Sequence, residues 1–184
     1  MEIDPNKTWK LLEERAKGET NPKLRSNLEV VIEHVKAEAR ADIPGLLRTL
    51  CDEPKYIWHT KRDDPMRNPE GSKEAIAAFY DRMVVQTGAH RLEWAIDRVI
   101  VDEYSVFTEG LLRSAVPGCT LLEMGIEVDS PDAYYVAEDR CGVVWPIDAA
   151  TGLLKGEEIY TCSDELAGIE DRKISIEDIV AAVT

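Results

Sequence analysis

The hydrophobic pattern changes period at Gly88, and that switch limits the folds open to the chain. Before Gly88 the apolar residues recur with helical spacing. Leu24, Leu28, Val31, Ile32, Val35 and Ala39 stand at i, i+4, i+7, i+8, i+11 and i+15, one stripe of a 3.6-residue period. Ala75, Ile76, Phe79, Tyr80 and Met83 form a second stripe behind Ser72, a residue suited to capping a helix. A shorter helix is expected over 4–17, with Asp4 as cap, Pro5 in the first turn and Trp9, Leu12 and Ala16 on one face. Another follows Asp42 through Leu46, Leu47 and Leu50. After Gly88 the pattern alternates. Leu92–Val101 and Tyr104–Arg113 read as strands joined at Asp102-Glu103, and Tyr134–Ile147 and Leu153–Cys162 as strands joined by 148–152. One short strand, Tyr56–His59, lies between helices. Residues 114–133 read as a loop with a helical turn, and Ser175 with Asp178 as the start of a terminal helix. Helices first and hairpins afterwards predict an α+β fold: a curved antiparallel sheet wrapped over helices at 24–41 and 72–86.

At 184 residues one domain spanning 1–184 is expected, with a core over about 24–162, an N-terminal helical extension over 1–20 and a tail over 163–184. Lys and Arg number 22 against 36 Asp and Glu, a net charge of −14. Such a chain does not neutralise phosphates, which argues against nucleic acid and against an anionic membrane surface. The four cysteines are far apart and no histidines share ligand spacing, so no metal is expected. The opening Met-Glu-Ile-Asp-Pro has no basic and apolar leader pattern, and no apolar run approaches about 18 residues. A cytoplasmic protein with reduced thiols is the expectation. Neither a phosphate loop nor a dinucleotide fingerprint occurs, and Gly-x-Ser-x-Gly is absent, so nucleotide cofactors and acyl-serine chemistry are disfavoured.

The candidate site centres on Lys55–Tyr80. Tyr56-Ile57-Trp58-His59 is an aromatic strand end, followed by a polar loop with Pro65 and Pro69, then Gly71 and the Ser72 helix. His59 suits general acid–base work by its ordinary proton affinity; alternatively it caps the strand end. His34 falls off the apolar stripe of its helix and is expected in solvent, and His90 is a lesser candidate. By strict alternation Glu158 shares a strand face with Leu154, Gly156 and Tyr160, and Asp97 shares one with Glu93. Asp97 is a further candidate base or a rim charge. Tyr56 or Tyr160 is a candidate donor to a developing oxyanion. Trp58, Tyr80, Trp94 and Trp145 serve either as core or as walls for a flat apolar substrate. Leu122 and Met124, with Leu121 and Ile126, are too apolar for a free loop and are expected to border the mouth of a pocket.

These residues carry a resemblance. The aromatic-His strand end, the proline-bearing loop and Gly71-x-x-x-Ala75-Ile76 followed by Phe79 resemble the SnoaL-like branch of the NTF2-like superfamily. Val143-Val144-Trp145-Pro146, Gly152 and Leu153–Tyr160 resemble that family's two closing strands, so the match runs over about 24–162. It implies a pocket inside a cone-shaped sheet, no cofactor, a small hydrophobic and hydroxylated substrate, and a homodimer. It also implies a lyase, dehydratase or isomerase, with Glu158 at a position where such enzymes place a pocket acid that would hold His59. A non-catalytic module that binds a ligand or a partner is the alternative. Thr108-Glu109-Gly110-Leu111-Leu112-Arg113 lacks the acid after arginine that the epoxide-hydrolase branch uses, which disfavours that reaction. Large residues on both strand faces, such as Trp94 with Val99 and Trp145 with Val144, independently call for a second covering of the sheet.

Overall fold

A computed structural model describes residues 1–59, 68–86, 88 and 90–183; the expected Pro65 loop and the side chain of Met83 lie outside these. Except for α1 (Lys10–Gly18), whose N-cap Trp9 makes no side-chain cap bond, each early helix starts at the cap its sequence provides. Asp4 accepts from the Asn6 amide and opens a 3₁₀ turn over Pro5–Lys7, and α1 comes next. Asn21 accepts from the Lys23 amide, with Pro22 in the first turn of α2 (Pro22–Ala39). Asp42 caps α3 (Ile43–Arg48) through the Gly45 amide, and Ser72 caps α4 (Lys73–Tyr80) through that of Ala75. A π turn over Asp81–Val85 ends α4.

The strands are β1 (Leu50–His59), β2 (Leu92–Val101), β3 (Ser105–Pro117), β4 (Tyr134–Pro146), β5 (Leu154–Thr161) and β6 (Lys173–Ile174), with α5 (Gly118–Glu123) between β3 and β4. Their order is β1-β5-β4-β3-β2, with β6 beside β4. The hairpins β2–β3, β3–β4 and β4–β5 are antiparallel. The sheet as a whole is mixed, because β1 pairs with β5 in parallel. No tight turn dictates that pairing: the chain leaves β1 through α4 and re-enters at the opposite edge, a crossover that frees β1 from the hairpin rule.

One core cluster joins α1 through α4 to the concave face, with Leu28, Val31, Leu46, Tyr56, Ile76, Tyr80, Val143 and Trp145 among its members. Strict alternation does not survive along β2. A register shift between Ile96 and Arg98 makes Asp97 the extra residue, so Val99 and Val101 pack on the core side with Trp94 and Ile96. β3 runs on to Pro117, and α5 buries only Leu121 among its larger apolar side chains. The expected terminal helix is a 3₁₀ turn over Ile176–Asp178; its reciprocal Ser175–Asp178 cap is present. From there the tail returns to the start of the chain, where Ile3 bridges to Ile179 and the Asn6 side chain donates to the Ala181 carbonyl. Among the described residues no helix is long and apolar enough to cross a membrane.

Candidate active site

Four elements converge on one buried polar cluster. α2 supplies the row Asn27, Val31, His34 and Glu38, at i, i+4, i+7 and i+11, turned toward the sheet beside the apolar stripe. β1 supplies Tyr56 and α4 supplies Tyr80. β5 supplies Glu157, in register with Tyr56. Strict alternation would have pointed Glu158 inward with Leu154. Gly156 adopts φ +120°, and a Cβ there would lie 1.8 Å from the Lys55 carbonyl oxygen. Only glycine suits that backbone. The irregularity shifts the phase by one residue, so Leu154 and Glu157 are both buried and Glu158 and Tyr160 turn outward.

His34 is fully buried, at 0% exposure, and its hydrogen bonds fix its tautomer. Thr49 donates its hydroxyl proton to the Leu46 carbonyl at 2.6 Å, so its oxygen accepts from His34 Nδ1–H at 2.6 Å. His34 Nε2 then stands 3.0 Å from Glu157 Oε1, 3.3 Å from the Tyr56 hydroxyl and 3.4 Å from that of Tyr80. A lone pair on nitrogen facing one on oxygen at 3.0 Å would repel, so a proton lies between them. The pair is imidazolium–carboxylate or imidazole–carboxylic acid, and a single proton transfer interconverts the two. Tyr80 donates to Glu157 Oε1 at 3.1 Å, and the two tyrosine hydroxyls are 3.2 Å apart.

The electrostatics follow from enclosure. Burial, with the Glu157 charge adding to it, holds both phenols well above their ordinary range. Glu38 keeps some accessible surface, yet protein surrounds its carboxyl. That desolvation, reinforced by the Glu157 carboxylate, pushes it up to about 8. At neutral pH the two phenols are therefore neutral and the Glu38 carboxyl is mostly so. Around it the rings are fixed. Trp145 stands edge-on to His34 with centroids 5.6 Å apart and donates its indole N–H to Thr108 at 2.8 Å. Trp94 lies beside Trp145 at 6.4 Å, and Phe79 meets Tyr56 edge-on.

The structure thus brings Tyr56, Tyr80, Trp145 and Trp94 together, with Trp58 half-buried against the same core. It does not bring the expected acid and base there. His59 is exposed on the convex face, stacked on Tyr160 at 4.3 Å, and Tyr160 donates to Glu158 at 3.4 Å. The expected His59–Glu158 pairing gives way to this outward trio, because Tyr56 and Trp58 take the inward positions of β1. Asp97, the extra residue of β2, is also outside, held by both terminal nitrogens of Arg140 at 2.9 and 3.0 Å; Arg140 keeps its carboxyl below the usual range. Leu122 and Met124 are exposed on α5, whose buried residue Leu121 packs with Tyr135, Ala137 and Ile169 in a separate cluster. Tyr135 and Ala137 lie on the same face of β4 as Cys141, Val143 and Trp145, further along the strand. His90 is half-buried, and desolvation lowers its pKa. His34, Glu157, Glu38 and Thr49 are not picked out by sequence patterning as applied above. The row at i, i+7 and i+11 on α2 and the glycine inside β5 are the signals that point to the first three. Among the described residues no group of three or more His, Cys, Asp or Glu side chains is placed to hold a metal ion, and all four cysteines are free thiols.

Comparison with known proteins places the fold. No family model matches the sequence, and no curated protein does. Solved structures do match. A candidate SnoaL-like polyketide cyclase from Shewanella putrefaciens superposes with TM-score 0.63 at 12% identity, over 86% of this chain and 92% of that one. A second, from Shewanella denitrificans, gives 0.61 at 15% identity over 79% and 96%. An NTF2-like protein of unknown function from Burkholderia pseudomallei gives 0.57 at 18% identity over 78% and 96%. The chain has the NTF2-like fold.

Proposed function

We propose that this NTF2-like chain is a cofactor-free enzyme of the SnoaL-like kind that moves protons on a small hydrophobic substrate, as an isomerase, cyclase, lyase or dehydratase. The observation that carries this reading is the buried hydrogen bond between His34 Nε2 and Glu157, 3.0 Å long, beside two phenols and the Glu38 carboxyl. An acid and a base held side by side among apolar rings are what such chemistry requires. Once the shared proton has passed to solvent, the dyad is imidazole–carboxylate and takes a proton from a carbon next to a carbonyl. The C–H bond breaks, its electron pair moves onto the carbonyl oxygen, and a hydroxyl of Tyr56 or Tyr80 donates a hydrogen bond to the resulting oxyanion. Return of the proton at a neighbouring carbon gives an isomer. Where the neighbouring carbon carries a hydroxyl, the enolate's electron pair forms a C=C bond as the C–O bond breaks, and the Glu38 carboxylic acid protonates the departing hydroxyl to water.

The SnoaL-like names of the structural neighbours support the same direction. A second reading, a non-catalytic module that binds a ligand or partner, draws on the near-complete closure of Tyr56 and Tyr80. We also assign the chain to the cytoplasm and to a homodimer formed through the convex face. There Ile100, Tyr160 and His59 are exposed, and the Phe107 ring lies over Gly142. One experiment separates catalysis from binding: exchange of substrate protons into deuterated water, tracked by NMR across a set of hydroxylated aromatic ketones and steroid enones. His34→Gln and Glu157→Gln are expected to slow exchange by about 10² to 10⁴, while His59→Ala leaves it unchanged. Exchange absent from the wild type, or equal in all three variants, favours the binding module.

A further inference from the structure

Trp94 is 5% exposed, and its indole nitrogen is buried without a hydrogen-bond partner. Buried indoles normally find an acceptor, and the neighbouring Trp145 does so at 2.8 Å. Trp94 is not a loosely held residue, since its backbone amide donates to the Thr8 hydroxyl at 3.1 Å. Its neighbours on the concave face are its cross-strand partner Leu112 and the adjacent Ile96. Both pack against the core yet stay half-buried, so the space beside the indole is not closed on every side by protein. The chain of contacts runs from His34 to Trp145 at 5.6 Å and from Trp145 to Trp94 at 6.4 Å. Trp94 thus belongs to the row of rings that begins at His34.

Charge narrows the class further. Among the described residues the buried ionisable side chains include Glu19, Glu93, Asp139, Glu157 and His34, but no lysine or arginine. Beside the acidic side chains of Glu157 and Glu38, a ligand carboxylate would find no buried lysine or arginine to hold it.

We propose that the substrate is an uncharged, flat, apolar molecule with an acceptor oxygen that pairs with Trp94 Nε1. This rests on the acid–base reading of the cluster for the substrate's other end, and Trp94 acts as a specificity-determining donor. The probes are 9-fluorenone, fluorene, which has the same shape without the oxygen, and 9-fluorenone-2-carboxylate. Binding is measured by titration while the indole N–H signals are read in ¹H–¹⁵N spectra of the whole chain. Fluorenone is expected to move the Trp94 indole proton downfield and to bind about fivefold to tenfold more tightly than fluorene. Trp94→Phe erases that preference, and the carboxylate binds at least about tenfold more weakly at neutral pH. Should Trp94→Phe fail to fold, the wild-type indole shift decides the point. Equal binding of fluorenone and fluorene, a preference that survives Trp94→Phe, or no binding of either up to its solubility overturns the proposal. None of these outcomes depends on turnover, so proton exchange lost in His34→Gln alongside an unmoved Trp94 would leave the acid–base reading standing and remove this one.

Discussion

Replacing Glu38 by glutamine should make the protein more stable in alkaline solution, by an amount that grows with pH. Folding lifts the Glu38 carboxyl from its ordinary 4.5 to about 8. Each pK unit corresponds to about 1.4 kcal/mol, so full burial would cost at most about 5 kcal/mol once the unfolded chain is ionised. Glu38 keeps some accessible surface, and water screening reduces the effect to about 2 to 4 kcal/mol. The sign is set by which state holds the proton. Between pH 4.5 and about 8 the folded chain keeps it and the unfolded chain releases it, so stability falls as pH rises and levels off above about 8. Glutamine is neutral throughout. Urea unfolding of wild type and Glu38→Gln at intervals from about pH 5 to 8.5 should give curves that coincide at the acid end and separate toward the alkaline end, with the variant above. The desolvated His90 contributes in the opposite sense, because its folded pKa is depressed, but equally in both proteins, so it cancels in the difference. Parallel curves would refute the placement of a protonated Glu38 beside Glu157. Because Glu157 is the second cause of the shift, Glu157→Gln should reduce the slope without abolishing it.

Two further outcomes test the supports of the cluster. Thr49→Val leaves the His34 Nδ1–H without its acceptor inside the protein and should cost about 1 to 3 kcal/mol in urea unfolding; a loss below about 0.5 kcal/mol would mean that His34 finds another partner or tautomer. Gly156→Ala must place a Cβ at 1.8 Å from the Lys55 carbonyl oxygen with φ at +120°, and should cost about 3 kcal/mol or more; an alanine variant as stable as wild type would mean that β1 and β5 pair without this kink.

The architecture is readable where one period runs unbroken. The α2 stripe, the Ser72 cap and the two hairpins each have a local cause, and local causes are written in order along the chain. The features that escape depend on partners distant in sequence. Nothing near Tyr56 says that β1 will lie parallel to β5 more than ninety residues later; Tyr56 and Glu157 are neighbours only because α4 carries the chain across. The Ser175–Asp178 cap forms as its spacing indicates, but it opens only a single turn, because the tail's backbone is taken up by Ile3.

The site is harder to read because each of its two main groups sits one step away from where a simple rule puts it. A single apolar stripe describes α2 too narrowly. The helix is covered by α1 and α3 on one side and by the sheet on another, so its buried arc is wide enough to include the row of Asn27, His34 and Glu38. Two-residue alternation describes β5 too rigidly, since one glycine with positive φ reverses its phase. The two departures are linked through geometry. A histidine drawn into the buried arc of a helix needs a polar partner on the facing sheet, and with β5 in strict alternation the inward group at that level would be Glu158, one position further along and opposite Ile57 rather than Tyr56. The kink at Gly156 sets Glu157 beside Tyr56 instead, within reach of His34 and Tyr80 together. The backbone conformation of one glycine therefore decides which of two adjacent glutamates shares a proton with the histidine, and which turns to the convex face beside Tyr160.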